Sequence, residues 1–264
     1  MKFCLPTPNL ARMSDEKISK QRMDERRPDQ IRPLRFINHI APYATGSTLI
    51  EWGNTRVICG VTVEESVPRW MKEQGVTGGW ITAEYSMLPY STLTRKARDI
   101  SKGKIDGRSQ EIQRLIGRAM RAAINLEKIG SRTIWVDCDV LQADGGTRTA
   151  AITGSYVALA LAVRKLTAEG KLTENPLLSA VAAVSVGMIG GEAMLDLNYV
   201  EDVAAAVDMN IVMNAADEFI EVQGTGEEST FTRAQLDALL EFGRTGIQQL
   251  LAAQNRALAE AAVA

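Results

Sequence analysis

The chain has 264 residues, 45% hydrophobic and 23% charged, with a formal net charge of −2. That is the balance of a soluble globular protein with one large domain or two small ones. No apolar stretch is long enough to span a membrane, and the single histidine, His39, excludes two-histidine mechanisms and histidine-rich zinc sites.

Residues 1–21 mix Pro, Asn, Ser and Lys and lack a continuous apolar core and a small-residue cleavage site. They are expected to form a mobile extension and not a secretory signal, with the folded domain spanning 22–264. Met13 and Met23 are alternative initiators. His39 has no nucleophile elbow around it and reads as a surface or structural residue. Residues 46–63 alternate like two strands joined at Gly53-Asn54, a sequence suited to a hairpin turn. Another strand is expected over 78–88. Residues 90–107 have little apolar content and many bases, which predicts an exposed, mobile loop.

A helix is expected over 109–126, with Ser109 as its cap and Ile112, Leu115, Ile116, Ala119, Met120 and Ala123 on one face. Arg114, Arg118 and Arg121 share another face. From Tyr90 to Arg121 the chain carries nine bases against three acids, and from Ala205 to the end nine acids against three bases. A polyanion would be gripped by the first segment, although a solvated charged face has the same composition.

A strand over 133–141 leads into Asp144-Gly145-Gly146-Thr147-Arg148 and then a helix of small residues over about 149–166. Cys59 and Cys138 sit within apolar strand runs and read as buried thiols, in keeping with a reducing cytoplasm. Glycines let backbone N–H groups approach a ligand, and a helix start adds unpaired donors and partial positive charge. With the Thr147 hydroxyl and the Arg148 cation, the turn is either an oxyanion site, phosphate above all, or a tight connection. Arg108, beside Gly107 at a helix start, is either a second anion ligand or a surface arginine.

Strands are expected over 181–189 and 193–197, joined at Gly190-Gly191, and over 208–213 and 218–223. Thr232 caps a last helix over about 233–251. Between them lie Asp196, Glu201, Asp202 and Asp208. Asp202 and Asp208 are six residues apart, which brings them together neither on a straight helix nor on a straight strand. They converge only if the chain turns near Ala204 to Ala206; then they would suit Mg²⁺ or position a proton, and otherwise they are unrelated loop acids. The order of elements predicts an α+β fold with mainly antiparallel sheets, as two similar units packed in one body.

From Arg22 to about Leu258 the chain resembles the RNase PH family of bacterial phosphorolytic 3′→5′ exoribonucleases. The residues that carry the resemblance are Asp29-Gln30-Ile31-Arg32-Pro33, Gly79-Trp80-Ile81-Thr82-Ala83-Glu84-Tyr85, Gly107-Arg108 with Glu111-Ile112-Gln113-Arg114-Leu115, the run from Asp137 to Arg148, and Asp208-Met209-Asn210. The resemblance implies a split β-α-β fold and a homohexamer built as a trimer of dimers. It implies that Arg108, Gly146, Thr147 and Arg148 bind inorganic phosphate, the co-substrate. It further implies that Asp202 and Asp208 are catalytic acids associated with Mg²⁺, and that Arg95 and Arg98 grip tRNA precursors or other RNA 3′ ends, with no DNA. A non-catalytic RNA-binding subunit of an exosome-like ring is the alternative, and such a relative would be expected to lose the phosphate arginine or the acids. Three positions depart from the family pattern: Tyr90 stands where Arg is usual, Leu93 where a polar residue is common, and Glu25 where Gly is usual. Tyr90 would shift some RNA affinity to base stacking.

Overall fold

The computed structural model describes residues 22–226 and 229–261; the expected N-terminal extension, residues 1–21, lies outside them. Five strands, β1 (Leu34–Asn38), β2 (Gly46–Trp52), β3 (Thr55–Glu64), β4 (Trp80–Met87) and β5 (Thr133–Gln142), form one sheet in the order β1-β2-β3-β5-β4. Four more, β6 (Val181–Ile189), β7 (Glu192–Leu195), β8 (Val207–Asn214) and β9 (Phe219–Gly226), form a second sheet in the order β7-β6-β8-β9. Every pairing is antiparallel except β4 with β5. That parallel pair needs a crossover, and α2 (Gly107–Ala123) lies within it, packed on β4. The expected α+β class with mainly antiparallel sheets is what the chain adopts.

The helix α3 (Thr147–Ala168) is the layer between the sheets. Its run of Ala, Ile, Val, Leu and small polar residues has no polar face, and the helix packs on β2 and β3 on one side and β6 on the other. A side chain at Gly46 would place its Cβ 2.3 Å from the Ala158 carbonyl oxygen, so this glycine sets how closely β2 approaches the helix. Cys59 and Cys138 are directly paired across β3 and β5 and are free, buried thiols beneath α3. The last helix, α5 (Arg233–Glu260), covers the second sheet and reaches β1.

Several boundaries differ from those the sequence predicts. The cap of α2 is Asp106, not Ser109, and the helix starts two residues earlier, because the Asp106 carboxylate accepts the Ser109 N–H at 2.7 Å. Thr232 does cap α5, but the helix runs nine residues past the expected end, through a sequence rich in Ala, Leu and Gln. β1, α1 (Arg69–Gln74) and α4 (Tyr199–Ala204) carry too few residues for a periodic signal.

Residues 22–33 connect the two sheets. The Glu25 N–H donates to the Arg22 carbonyl at 2.9 Å, and Glu25 closes the turn with φ +60°. This is the left-handed region, which costs a side chain roughly 1–2 kcal/mol and glycine almost nothing. The family's glycine at this position therefore has a backbone reason. Glu25→Gly is expected to stabilise the fold by about 0.5–1 kcal/mol, less than the full strain because glycine also loosens the unfolded chain. Urea titration should show a higher midpoint at constant slope; an unchanged or lower midpoint would mean that the turn carries no net strain.

Candidate active site

Two helix starts face one cavity. At the first, Asp106 caps α2 and places Arg108 at its second position. Lys96 pairs with the same carboxylate at 2.9 Å, tying residues 90–98 to the helix. The Asp106 carboxyl is lowered to about 2 by the Ser109 N–H and the Lys96 ammonium. At the second start, β5 ends in Asp144-Gly145-Gly146, and α3 begins at Thr147 without a side-chain cap, so its first N–H groups are available to a ligand. Gly145 has φ +72°, and a Cβ there would lie 2.5 Å from the Leu197 carbonyl oxygen. The glycine thus lets the turn press against the segment leading from β7 to α4.

The turn is fixed from four sides. The Thr55 hydroxyl donates to the Gly145 carbonyl at 2.7 Å and accepts the Asp144 N–H at 3.0 Å. The Asn54 amide donates to one Asp144 carboxylate oxygen at 3.1 Å and the Tyr199 N–H to the other at 3.2 Å. Arg32 donates to the Asp144 carbonyl. Arg32 is itself buried, and its Nη2 donates to Asp196 Oδ1 at 2.7 Å. The Asp196 carboxylate, fully buried, also accepts the Arg32 N–H and the Trp52 indole N–H, at 2.7 and 2.9 Å. Arg22 and Arg26 close the cluster, with Arg22 on Glu201 at 2.5 Å.

The cavity has a volume of about 540 Å³, and Arg95, Arg108, Gly145, Thr147, Tyr199 and Asp202 line it. Two of the expected phosphate residues, one RNA-gripping arginine and one acid are thereby brought together. Gly146 and Arg148 belong to the same turn but are not part of the lining. The Arg148 Nη1 donates to Glu111 on α2 at 3.2 Å and to Gln223 on β9 at 3.1 Å. The chain does turn between Asp202 and Asp208: α4 ends at Ala204 and β8 starts at Val207. Asp208 lies outside the lining, and its Oδ1 is buried with no hydrogen-bond partner. Arg98 sits near Asp139 on β5, whose carboxyl is raised by burial and pulled partly back by that guanidinium. Tyr90 and Leu93 are exposed. Among the described residues no group of three or more Asp, Glu, His or Cys is arranged to hold a metal ion.

Tyr85 was legible only as a motif residue. On β4 it reads as one more inward-facing core position, yet its hydroxyl donates to the Thr147 hydroxyl at 2.8 Å. Burial pushes the phenol up, and the Arg108 charge opposes that rise.

The signature of the 3′ exoribonuclease family, domain 1, matches residues 30–165, and that of domain 2 matches residues 179–246. Together they cover most of the chain. The chain belongs to the ribonuclease PH family. Ribonuclease PH of Bacillus pumilus is 52% identical over 240 residues, covering 90% of this chain and 98% of the relative. The enzymes of Syntrophomonas wolfei and Corynebacterium efficiens are each 54% identical over 90% of this chain, with 99% and 96% of the relatives covered. Among solved structures, rice Rrp46 superposes with a TM-score of 0.72 at 21% identity, covering 90% of this chain and 99% of Rrp46. The Archaeoglobus fulgidus exosome with RNA bound to the active site superposes at 0.71 and 22%, covering 87% of this chain and 91% of that one. These two likenesses concern the fold.

The Asp106 cap makes the start of α2 sensitive to acid. Its carboxyl is lower in the folded chain than in the unfolded one, so its contribution is complete above about pH 4 and fades as pH falls through about 2. Asp106→Ala is expected to cost about 1 kcal/mol at neutral pH. Chemical denaturation from pH 7 to 2 should show this difference shrinking below pH 4; a difference that does not depend on pH would mean the carboxylate is not the cap in solution.

Proposed function

We propose that this chain is a phosphate-dependent 3′→5′ exoribonuclease that trims tRNA precursors, with inorganic phosphate as the nucleophile. The observation that carries the reading is the meeting of Arg108, Thr147 and Gly145, at two helix starts, in a cavity that also contains Arg95 and Asp202. A nucleophile that arrives as an anion needs cations and N–H donors to hold it. It needs no histidine base, and the only histidine, His39, is not among the cavity residues. The 52–54% identity to ribonuclease PH relatives over 90% of the chain supports the same reading.

A phosphate oxygen attacks the phosphorus of the last phosphodiester. The bond to the 3′-oxygen of the penultimate nucleotide breaks, that oxygen takes up a proton, and a nucleoside diphosphate leaves with an RNA one nucleotide shorter. Arg108, Thr147, Arg148 and the N–H groups of the Gly146 turn hold the attacking phosphate. The Glu111 and Gln223 contacts fix the plane of the Arg148 guanidinium. Because the bond made resembles the bond broken, the reverse addition of nucleotides from diphosphates follows. Asp202 and Asp208 would hold a Mg²⁺, which offsets negative charge on the transferred phosphoryl group. Two carboxylates with substrate oxygens and water suit this hard ion, and the unpartnered Asp208 Oδ1 is in keeping with such a ligand. Arg95 and Arg98, with Tyr90 as a stacking face, would hold the RNA. The working assembly would be a homohexamer in the cytoplasm; Leu49, Ile58, Trp135 and Leu141, partly exposed on the outward face of the first sheet, offer area for self-association.

A 3′-extended tRNA precursor incubated with the protein and Mg²⁺ should release nucleoside diphosphates only when phosphate is added. Monophosphates with or without phosphate would mean hydrolysis and would overturn the proposal. RNA bound without any product would point to the non-catalytic ring subunit. Arg148→Ala is expected to lower phosphate-dependent kcat/KM by on the order of 10²-fold or more with RNA affinity retained. Arg95→Ala combined with Arg98→Ala should instead weaken RNA binding and flatten its logarithmic salt slope by about 1.5. An unchanged slope would remove these arginines from the RNA path.

A further inference from the structure

The Thr147 hydroxyl lines the cavity, but its usefulness to an anion depends on where its proton points. A threonine hydroxyl has one proton and two acceptor lone pairs, and a rotor left to itself can aim that proton at a backbone carbonyl. Here the neighbouring groups constrain it. The Tyr85 and Thr147 oxygens are 2.8 Å apart in a buried environment. The phenol is the donor of this pair and the Thr147 oxygen its acceptor. A guanidinium has donors and no acceptor, so the phenol can face it only with a lone pair. The Arg108 charge, which opposes the rise of the buried phenol, favours that direction, while the Arg108 Nη1 donates to the Met87 sulfur at 3.5 Å. The Tyr85 proton is then left for Thr147, and the Thr147 proton is left for the cavity.

We propose that Tyr85 is a positioning residue that orients the Thr147 hydroxyl as a donor into the anion cavity. The chain of donors runs from Tyr85 to Thr147 and from Thr147 to the bound oxyanion. Tyr85 touches neither phosphate nor RNA: it is buried and outside the cavity lining. With the Gly145 turn and Arg108, this makes a wall of donors suited to a ligand rich in acceptor oxygens, such as ionised phosphate. The inference rests on the phosphate reading of the site and deepens it.

The test is steady-state phosphorolysis with phosphate and RNA varied separately, on Tyr85→Phe, Thr147→Val, Thr147→Ser and the Tyr85→Phe/Thr147→Val double variant, each checked for its melting temperature. Tyr85→Phe should raise the KM for phosphate roughly 3- to 10-fold, the scale of one hydrogen bond to a charged group. That rise should exceed the fall in kcat, and the KM for RNA should stay put. Thr147→Val should have a similar or larger effect, and Thr147→Ser should recover most of the wild-type value. The double variant should be no worse than Thr147→Val alone, because the phenol then has no hydroxyl left to orient. Effects that multiply in the double variant, or a Tyr85→Phe that loses stability and kcat with an unchanged phosphate KM, would overturn the relay and leave the phosphate site standing. If neither Thr147→Val nor Arg148→Ala moves the phosphate KM, the phosphate reading falls, and the relay with it.

Discussion

A single carboxylate, that of Asp196, joins the two halves of this molecule. It is fully buried at the end of β7, beyond reach of water, and accepts hydrogen bonds from Arg32 and Trp52 of the first half. Burying ions carries a large desolvation cost, and this cluster offsets it by giving the carboxylate oxygens several donors at once. Arg32 then reaches on to the Asp144 carbonyl, so the ion pair is also the anchor of the glycine turn. Removing one member of such a pair leaves its partner's charge buried, a loss on the order of 3–5 kcal/mol. The residues before β1 complete the cluster: Arg22 and Arg26 bind the Asp196 carbonyl and the Glu201 side chain.

The site follows from that anchor. Glu201 lies on α4 one residue before Asp202, so the charges that fix the N-terminal segment also fix the helix that carries an acid into the cavity. Asp144 reaches the same helix through the Tyr199 N–H. α2 arrives separately, through the Asp106 cap and the Lys96 pair, and its Glu111 holds Arg148. Three linked pieces, the turn, α4 and the start of α2, therefore meet at one cavity. Each is held by charged groups in good hydrogen-bonding geometry, which suits a site whose ligands are themselves charged.

Much of this was legible in the sequence where cause and effect are close along the chain. The β2–β3 hairpin, the strand into Gly145-Gly146 and the Thr232 cap are local devices, and each appears where it was expected. Arg108 and Thr147 could be placed at helix starts because a helix start is written in adjacent residues. The Asp196 cluster was not legible, because Arg32 lies 164 positions away and nothing local distinguishes a buried acid from its neighbours Glu201 and Asp202. Tyr85 was hidden by its own alternation: an inward aromatic on a strand looks like core whether or not its hydroxyl has work to do. The Ser109 cap failed because Asp106, three residues earlier, is an equally good cap by residue type, and its carboxylate takes the Ser109 N–H in an extended backbone.

The two family signatures divide the chain between residues 165 and 179, from the last turn of α3 onward. The physical boundary is elsewhere. Seventeen of the 22 residues of α3 are buried, and they are buried by both sheets. A first half cut off after this helix would keep the glycine turn but leave an apolar helix face in water and lose Asp196. The second half alone would have a sheet with its inner surface bare. The two units matched by separate signatures thus make one body, and the glycine turn sits at the tip of the helix they share.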